Sequence, residues 1–223
     1  MSMTSYPRSP RILKGGLVLI DPDTSAVRRM VVLQYNPDSI SRTLQAQAVG
    51  GESKDRSQAL RLTGPPVETI KLDAEIDVTD QLELPDQGQN RVAVELGLHP
   101  QLAALETIVY PSSRQVLDSN RLAQTGTLEI APMEAPLTLF VWSKTRILPV
   151  RLTDFSVTEE AFDPNLNPIR AKVSLGMRVL NINDLGFAHK GGSLFMTYFQ
   201  QKEKLAAMAQ SGGFGALGIP GIP

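Results

Sequence analysis

From Ile70 onward hydrophobic and polar residues alternate without exception: Ile70, Leu72, Ala74, Ile76 and Val78 are interleaved with Lys71, Asp73, Glu75, Asp77 and Thr79. A strict period of 2 predicts a strand with one buried and one wet face. The same pattern returns near the other end of the chain. Ile169, Ala171, Val173, Leu175, Met177 and Val179 alternate with Arg170, Lys172, Ser174, Gly176 and Arg178. These predicted strands, 69–79 and 169–179, are each about 11 residues long, roughly twice the usual length.

Shorter apolar runs predict further strands. Residues 12–20 and 27–35 flank the turn Asp21-Pro22-Asp23-Thr24 and read as a hairpin. Residues 137–142 and 147–157 read as two more. In the second of these, Leu148, Val150 and Leu152 lie on even positions but Phe155 and Val157 on odd ones. One extra residue near Thr153-Asp154, a β-bulge, reconciles the two halves. Helical spacing appears at Leu102, Leu105, Ile108 and Val109, with Pro100 suited to the first helical position and His99 as its cap. Residues 117–134 fit no period and read as a loop or a short irregular element. A C-terminal helix is expected from about Ser193, followed by a Gly- and Pro-rich tail whose composition keeps it from folding alone, so that it is a flexible tail or a strap that orders on a partner. The chain thus divides into a domain of residues 1–190, with an extended arm and loop near 40–64, and a helix with tail at 191–223.

The segment Leu33-Gln34-Tyr35-Asn36-Pro37 closes one strand and opens a turn, since Pro fixes φ and Asn bonds its own backbone. Beyond it, residues 40–49 carry Ile40 and Leu44 amid polar neighbours. That arm is too polar for a core and is expected to bind a partner, through Tyr35, Asn36, Pro37, Ile40 and Leu44.

Composition narrows the chemistry. With 22 basic and 23 acidic residues the net charge is −1, so no concentrated basic face is available for nucleic acid. Cysteine is absent, which excludes disulfides and thiol chemistry. Residues 1–11 are polar and broken by Pro7 and Pro10, so no signal core is expected. No run approaches the ~20 apolar residues that span a bilayer. The expectation is a soluble protein folded in the cytoplasm, without membrane insertion. His99 and His189 lack companions at catalytic or metal-binding spacing. Gly15-Gly16 and Gly191-Gly192 do not form a phosphate loop, and Asp21-Pro22-Asp23 lacks the later ligands of a Ca²⁺ loop. No enzyme and no cofactor are expected.

The two long strands leave two architectures open. In an ordinary sandwich their polar faces simply meet solvent. In the alternative they line a wide water-filled barrel, with Asp73, Glu75, Asp77, Arg170, Lys172 and Arg178 facing the lumen. One chain has too few strands for such a barrel, so this architecture requires a ring of subunits.

Three motifs in order carry a family resemblance. Leu33-Gln34-Tyr35-Asn36-Pro37 resembles the Gln-Tyr-Asn-Pro signature of tube-like proteins in contractile injection system baseplates. Gly97-Leu98-His99-Pro100-Gln101-Leu102-Ala103-Ala104-Leu105-Glu106, with Tyr110-Pro111-Ser112, resembles that family's central helix. Glu159-Glu160-Ala161-Phe162-Asp163-Pro164-Asn165-Leu166-Asn167-Pro168-Ile169-Arg170-Ala171 is the most specific match. The resemblance runs from about Arg11 to Leu185. It implies an α+β, mainly β fold like that of phage tail tubes: a β-sandwich or half-barrel with a central and a C-terminal helix, closing a wide barrel as a ring. It also implies a hexameric tube-initiator or adaptor between spike hub and inner tube. The implied partners are further copies, the hub, the inner tube or a second initiator, and baseplate wedge proteins. Such a protein would be assembled in the cytoplasm and then become part of a contractile particle. Relatives often carry a LysM module after the tube-like domain; this chain has instead a helix and tail. A stand-alone carbohydrate- or peptide-binding module is the other reading, although aromatics are only 5% of residues.

Overall fold

The computed structural model describes residues 13–48, 61–124, 135–209 and 212–222. Among the described residues seven strands form one antiparallel sheet: β1 (Gly16–Ile20), β2 (Val27–Val32), β3 (Ile40–Gln45), β4 (Val67–Asp77), β5 (Leu137–Ser143), β6 (Arg146–Phe162) and β7 (Pro168–Val179). Their spatial order is β2-β1-β5-β6-β7-β4-β3. The two alternating segments are therefore neighbours, β4 and β7, with Glu75 opposite Lys172 and Asp77 opposite Arg170.

This architecture corrects the expected one. The sheet is open: its outermost strands, β2 and β3, do not pair with each other, and no second sheet accompanies it among the described residues. Neither a β-sandwich nor a closed wide barrel is formed. The physical reason lies in the helices. The apolar side of β4 and β7 packs on its own chain, against Leu98, Leu102, Leu105, Phe195 and Tyr198. An apolar face already covered from within needs no second sheet.

The described helices are α1 (Thr79–Leu82), α2 (Arg91–Leu96), α3 (His99–Glu106), α4 (Ser113–Gln124), α5 (Ile182–Leu185) and α6 (Lys190–Met208); the covering residues come from α3, α6 and the α2–α3 junction. Strands β1 and β5 are covered on both faces. Leu17 and Phe140 join the main core, while Ile20, Leu137 and Leu139 point the other way and pack with Leu180, Leu185 and Leu194. This is why β5 reads as a continuous apolar run rather than an alternation.

The register of β6 shifts between Leu152 and Asp154, the site of the predicted bulge. Gly176 lies opposite Asp154, and a Cβ there would come within 2.6 Å of its Oδ2. The polar position in β7 is thus held by glycine to make room for the bulge. Helix α6 begins three residues earlier than expected. Its N-cap is His189, whose Nδ1 accepts a 3.0 Å hydrogen bond from the Gly191 amide. A Cβ on Gly192 would sit 1.9 Å from the Gly186 carbonyl oxygen, so the doublet Gly191-Gly192 lets α6 start hard against the end of α5. His99, by contrast, is the first residue of α3 and not its cap, which is Leu98. Helix α4 falls partly where a loop was expected. Its start is fixed by Ser112 and Gln115, with the Gln115 amide donating to Ser112 Oγ at 3.2 Å and the Ser112 amide to Gln115 Oε1 at 3.0 Å. This is the reciprocal pairing of a capping box.

Candidate functional site

The segment Leu33-Gln34-Tyr35-Asn36-Pro37 leaves β2 and binds two distant parts of the backbone through its amide side chains. Asn36 Oδ1 accepts from the Gly15 amide at 2.9 Å, and its Nδ2 donates to the Leu13 carbonyl at 2.8 Å. Gln34 does the same with the end of β4: its Nε2 donates to the Asp77 carbonyl at 2.6 Å, and the Asp77 amide donates to its Oε1 at 2.9 Å. A primary amide offers one donor and one acceptor side by side, so it pairs with a peptide group as a neighbouring strand would. Gln34 thereby ties the chain leaving β2 to β4, five strands across the sheet. Tyr35 remains 49% exposed. Ile40 is half-buried against the core, and Leu44 is 50% exposed on β3. The expected arm is thus mostly an edge strand, paired to β4 from Ile40 to Gln45 and extended by a bridge between Ala48 and Leu62. Residues 49–60 of the expected arm and loop lie outside the described residues.

The polar face of β4, β7 and β6 carries a charged lattice. Arg170 bridges Asp77 Oδ2 at 2.8 Å and Glu75 at 3.6 Å. Lys172 turns from Glu75, its register partner, to Glu160 on β6 at 2.9 Å. Asp73 accepts a hydrogen bond from the Ser174 hydroxyl. Arg178 leaves the lattice for Asp184 in α5, at 2.7 Å. Partial burial would raise the Asp77 carboxyl, but hydrogen bonds from Thr79 and from Arg170 outweigh it and hold it below the usual range. The six predicted polar residues therefore share the β4–β7 pair, though only Asp77, Glu75 and Arg170 pair as opposing charges across it. Beside them a groove of about 670 Å³ lies over the bulge, lined by Ser39, Ser41, Asp73, Asp154, Ser156 and Ser174 among others.

A third cluster escaped the sequence reading. Glu68, in β4, is only 3% exposed and lies on the same face as Ile70 and Leu72. Arg42 of β3 donates to its Oε1 from Nε at 2.8 Å, and Lys202 of α6 donates to its Oε2 at 3.0 Å. The Tyr198 hydroxyl accepts from Arg42 at 2.8 Å and lies 3.3 Å from Glu68 Oε1. Lys202 Nζ also stands 4.5 Å from the centre of the Tyr198 ring. Burial pushes the Glu68 carboxyl up, and the hydrogen bonds and charges of Arg42 and Lys202 bring it below its ordinary value. The signal was available, since Glu68 continues the parity of Ile70 by one step. A carboxylate there requires cations, and the predicted C-terminal helix held Lys202.

No group of three or more His, Asp or Glu side chains placed to hold a metal occurs among the described residues. Nor is any described helix long and apolar enough to cross a membrane. What the surface does offer is exposed apolar side chains. Val27, Met30 and Val32 on edge strand β2 are all more than half exposed, and so are Phe162 and Leu166 where β6 turns into β7.

No family model matches the chain, and no curated protein matches it. Among solved structures, it has a distant likeness to a chain in the tail of an empty GTA particle, determined by helical refinement with C6 symmetry. The identity is 12%, the TM-score 0.27, and the match covers 74% of this chain and 90% of that one. A chain in the virion of a native gene transfer agent particle matches with the same identity and coverage and a TM-score of 0.26. At such values the likeness assigns neither the fold nor the function of this chain.

Proposed function

We propose that the chain is a structural subunit of a phage-tail-like contractile injection particle, placed in the baseplate as a tube-initiator or adaptor between spike hub and inner tube. The observation that carries this reading is how the Gln34–Asn36 motif is used. Its two amides are committed to the chain's own backbone, so the first resembling motif serves to hold a scaffold together and not to bind a small ligand. The third motif likewise builds the β6–β7 turn and the start of β7. Around that scaffold stand two unpaired sheet edges and exposed apolar residues, the features of a protein completed by neighbours.

In this reading the subunits form a homo-oligomeric ring, with six copies as the family resemblance implies. Tyr35, Pro37, Ile40 and Leu44 border neighbouring subunits, while Asn36 acts by fixing the backbone from which they project. The charged lattice of Asp73, Glu75, Asp77, Arg170 and Lys172 stays in water inside the particle, and Arg178 braces α5. Deleting the chain from a cell that makes such particles tests the proposal. The expected result is tubes that fail to initiate, so that spike protein accumulates unassembled and electron microscopy finds no particles. Particles of normal number and length without this chain would rule it out.

A further inference from the structure

The β6–β7 turn combines features that do not serve the stability of the isolated chain. Leu166 has φ of 65°, a left-handed conformation that glycine or asparagine adopts far more readily. Its side chain is nonetheless 77% exposed, and Phe162 beside the turn is 51% exposed. Ala161 also has a positive φ, of 54°. This unfavourable geometry is held firmly. Asp163 Oδ1 accepts from the amides of Asn165 and Asn167, each at 2.8 Å, and its Oδ2 accepts from the Asn167 side chain at 2.8 Å. Asn167 Nδ2 also lies 3.3 Å from the Glu95 carbonyl oxygen, linking the turn to α2. A leucine kept strained, rigid and in water breaks local rules in the way interaction sites do.

At the other end of the same hairpin lies an apolar groove of about 480 Å³. Its lining includes Ile108, Val109, Val150, Leu152, Leu180 and Leu185, with Arg151 and His189 also contributing. Ten residues of β6 separate Leu152 from Phe162, roughly 33 Å of extended strand. The two ends are complementary in charge as well. The tip carries Glu159, Glu160 and Asp163, of which Glu160 is paired with Lys172. The groove carries Arg151, which stands opposite Arg178 in register and has no ion-pair partner among the described residues. Arg178 itself is neutralised by Asp184.

We propose that the Leu166 tip of one copy seats in the Val109–Leu185 groove of a second copy. The contact is heterologous, because each copy offers a tip at one end and a groove at the other, so it repeats head to tail. Pre-organisation by Asp163 lowers the ordering cost of docking. Acidic tip against basic groove fixes the polarity of the contact and makes it salt-sensitive.

Sedimentation velocity on the purified chain tests the contact. The expected result is a sedimentation coefficient that rises with concentration and falls back as salt is added. Leu166→Gly relieves the strain and removes the tip, so it should melt at or above the wild-type temperature yet remain monomeric. Val109→Arg blocks the groove and should also remain monomeric. An equimolar mixture of the two variants should then stop at a heterodimer, since only one tip and one groove remain usable. A wild-type chain that is monomeric at every concentration overturns the contact, while the particle assignment keeps its own test. A mixture that stays monomeric also overturns it. So does association lost in Val109→Arg but retained in Leu166→Gly, which would assign the groove to another segment, such as the apolar stretch at 212–222.

Discussion

Val173→Asp is expected to yield no folded protein, whereas Glu75→Gln yields a protein that melts within a few degrees of wild type. Val173 is fully buried in the centre of β7, opposite Ala74 on β4 and Val157 on β6. An aspartate there has no cation within the core cluster, and desolvating it costs more than about 4 kcal/mol, a large share of a domain's stability. Glu75 lies on the solvated face, where its 3.6 Å contact with Arg170 is secondary to the 2.8 Å bridge from Arg170 to Asp77. Exposed ion pairs of this kind are worth up to about 1 kcal/mol. Circular dichroism melts of both variants check the assignment of faces, and equal damage from the two would show it to be wrong.

Glu68→Ala is the second large effect. It removes the carboxylate that Arg42, Tyr198 and Lys202 share, and leaves two cations partly buried beside a void. Breaking a buried pair in this way costs about 3–5 kcal/mol. The damage should centre on α6, whose Tyr198 and Lys202 lose their anchor on β4. Hydrogen exchange is then expected to quicken in α6 before the β6–β7 hairpin. The same carboxylate predicts an acid limb. Its pKa is lowered in the folded chain from an ordinary 4.5, so the native state binds fewer protons than the unfolded one. Its stabilising contribution is therefore complete above pH about 4.5 and is lost as pH falls below that value, through the folded pKa. In Glu68→Gln this part of the acid dependence should vanish, leaving a flatter stability curve below pH about 4.5 that denaturant titrations can read.

The strands were legible in the chain wherever one face was wet. β4 and β7 showed their period, and the parity change between Leu152 and Phe155 located the bulge. The closed architecture was misread because alternation reports that one face is apolar and not what covers it. Here α3 and α6 cover it, and α6 owes part of its hold to Glu68, a charge in the apolar row that hid the true start of β4. Helix α4 is amphipathic but has no buried residue, its Val116, Leu117 and Leu122 all being exposed; Ser112 and Gln115 mark its start. The Gln34–Asn36 motif was recognised as special, but its role was assigned outward. An amide that replaces a strand partner looks, in one dimension, the same as one that awaits a ligand. Of the predicted polar lattice, residue types could place Asp77 near Arg170, but not the turning of Lys172 to Glu160 or of Arg178 to Asp184. Those depend on β6 and α5 lying alongside, which no local pattern encodes.

Gold labelling of an epitope-marked copy in purified particles, imaged by electron microscopy, checks the proposed place of this chain in the baseplate of a contractile tail-like particle. Label is expected only at the spike end of the tube, in constant ratio to the hub protein. Intact particles that carry no label, with the marked chain recovered only in the particle-free fraction, would contradict it.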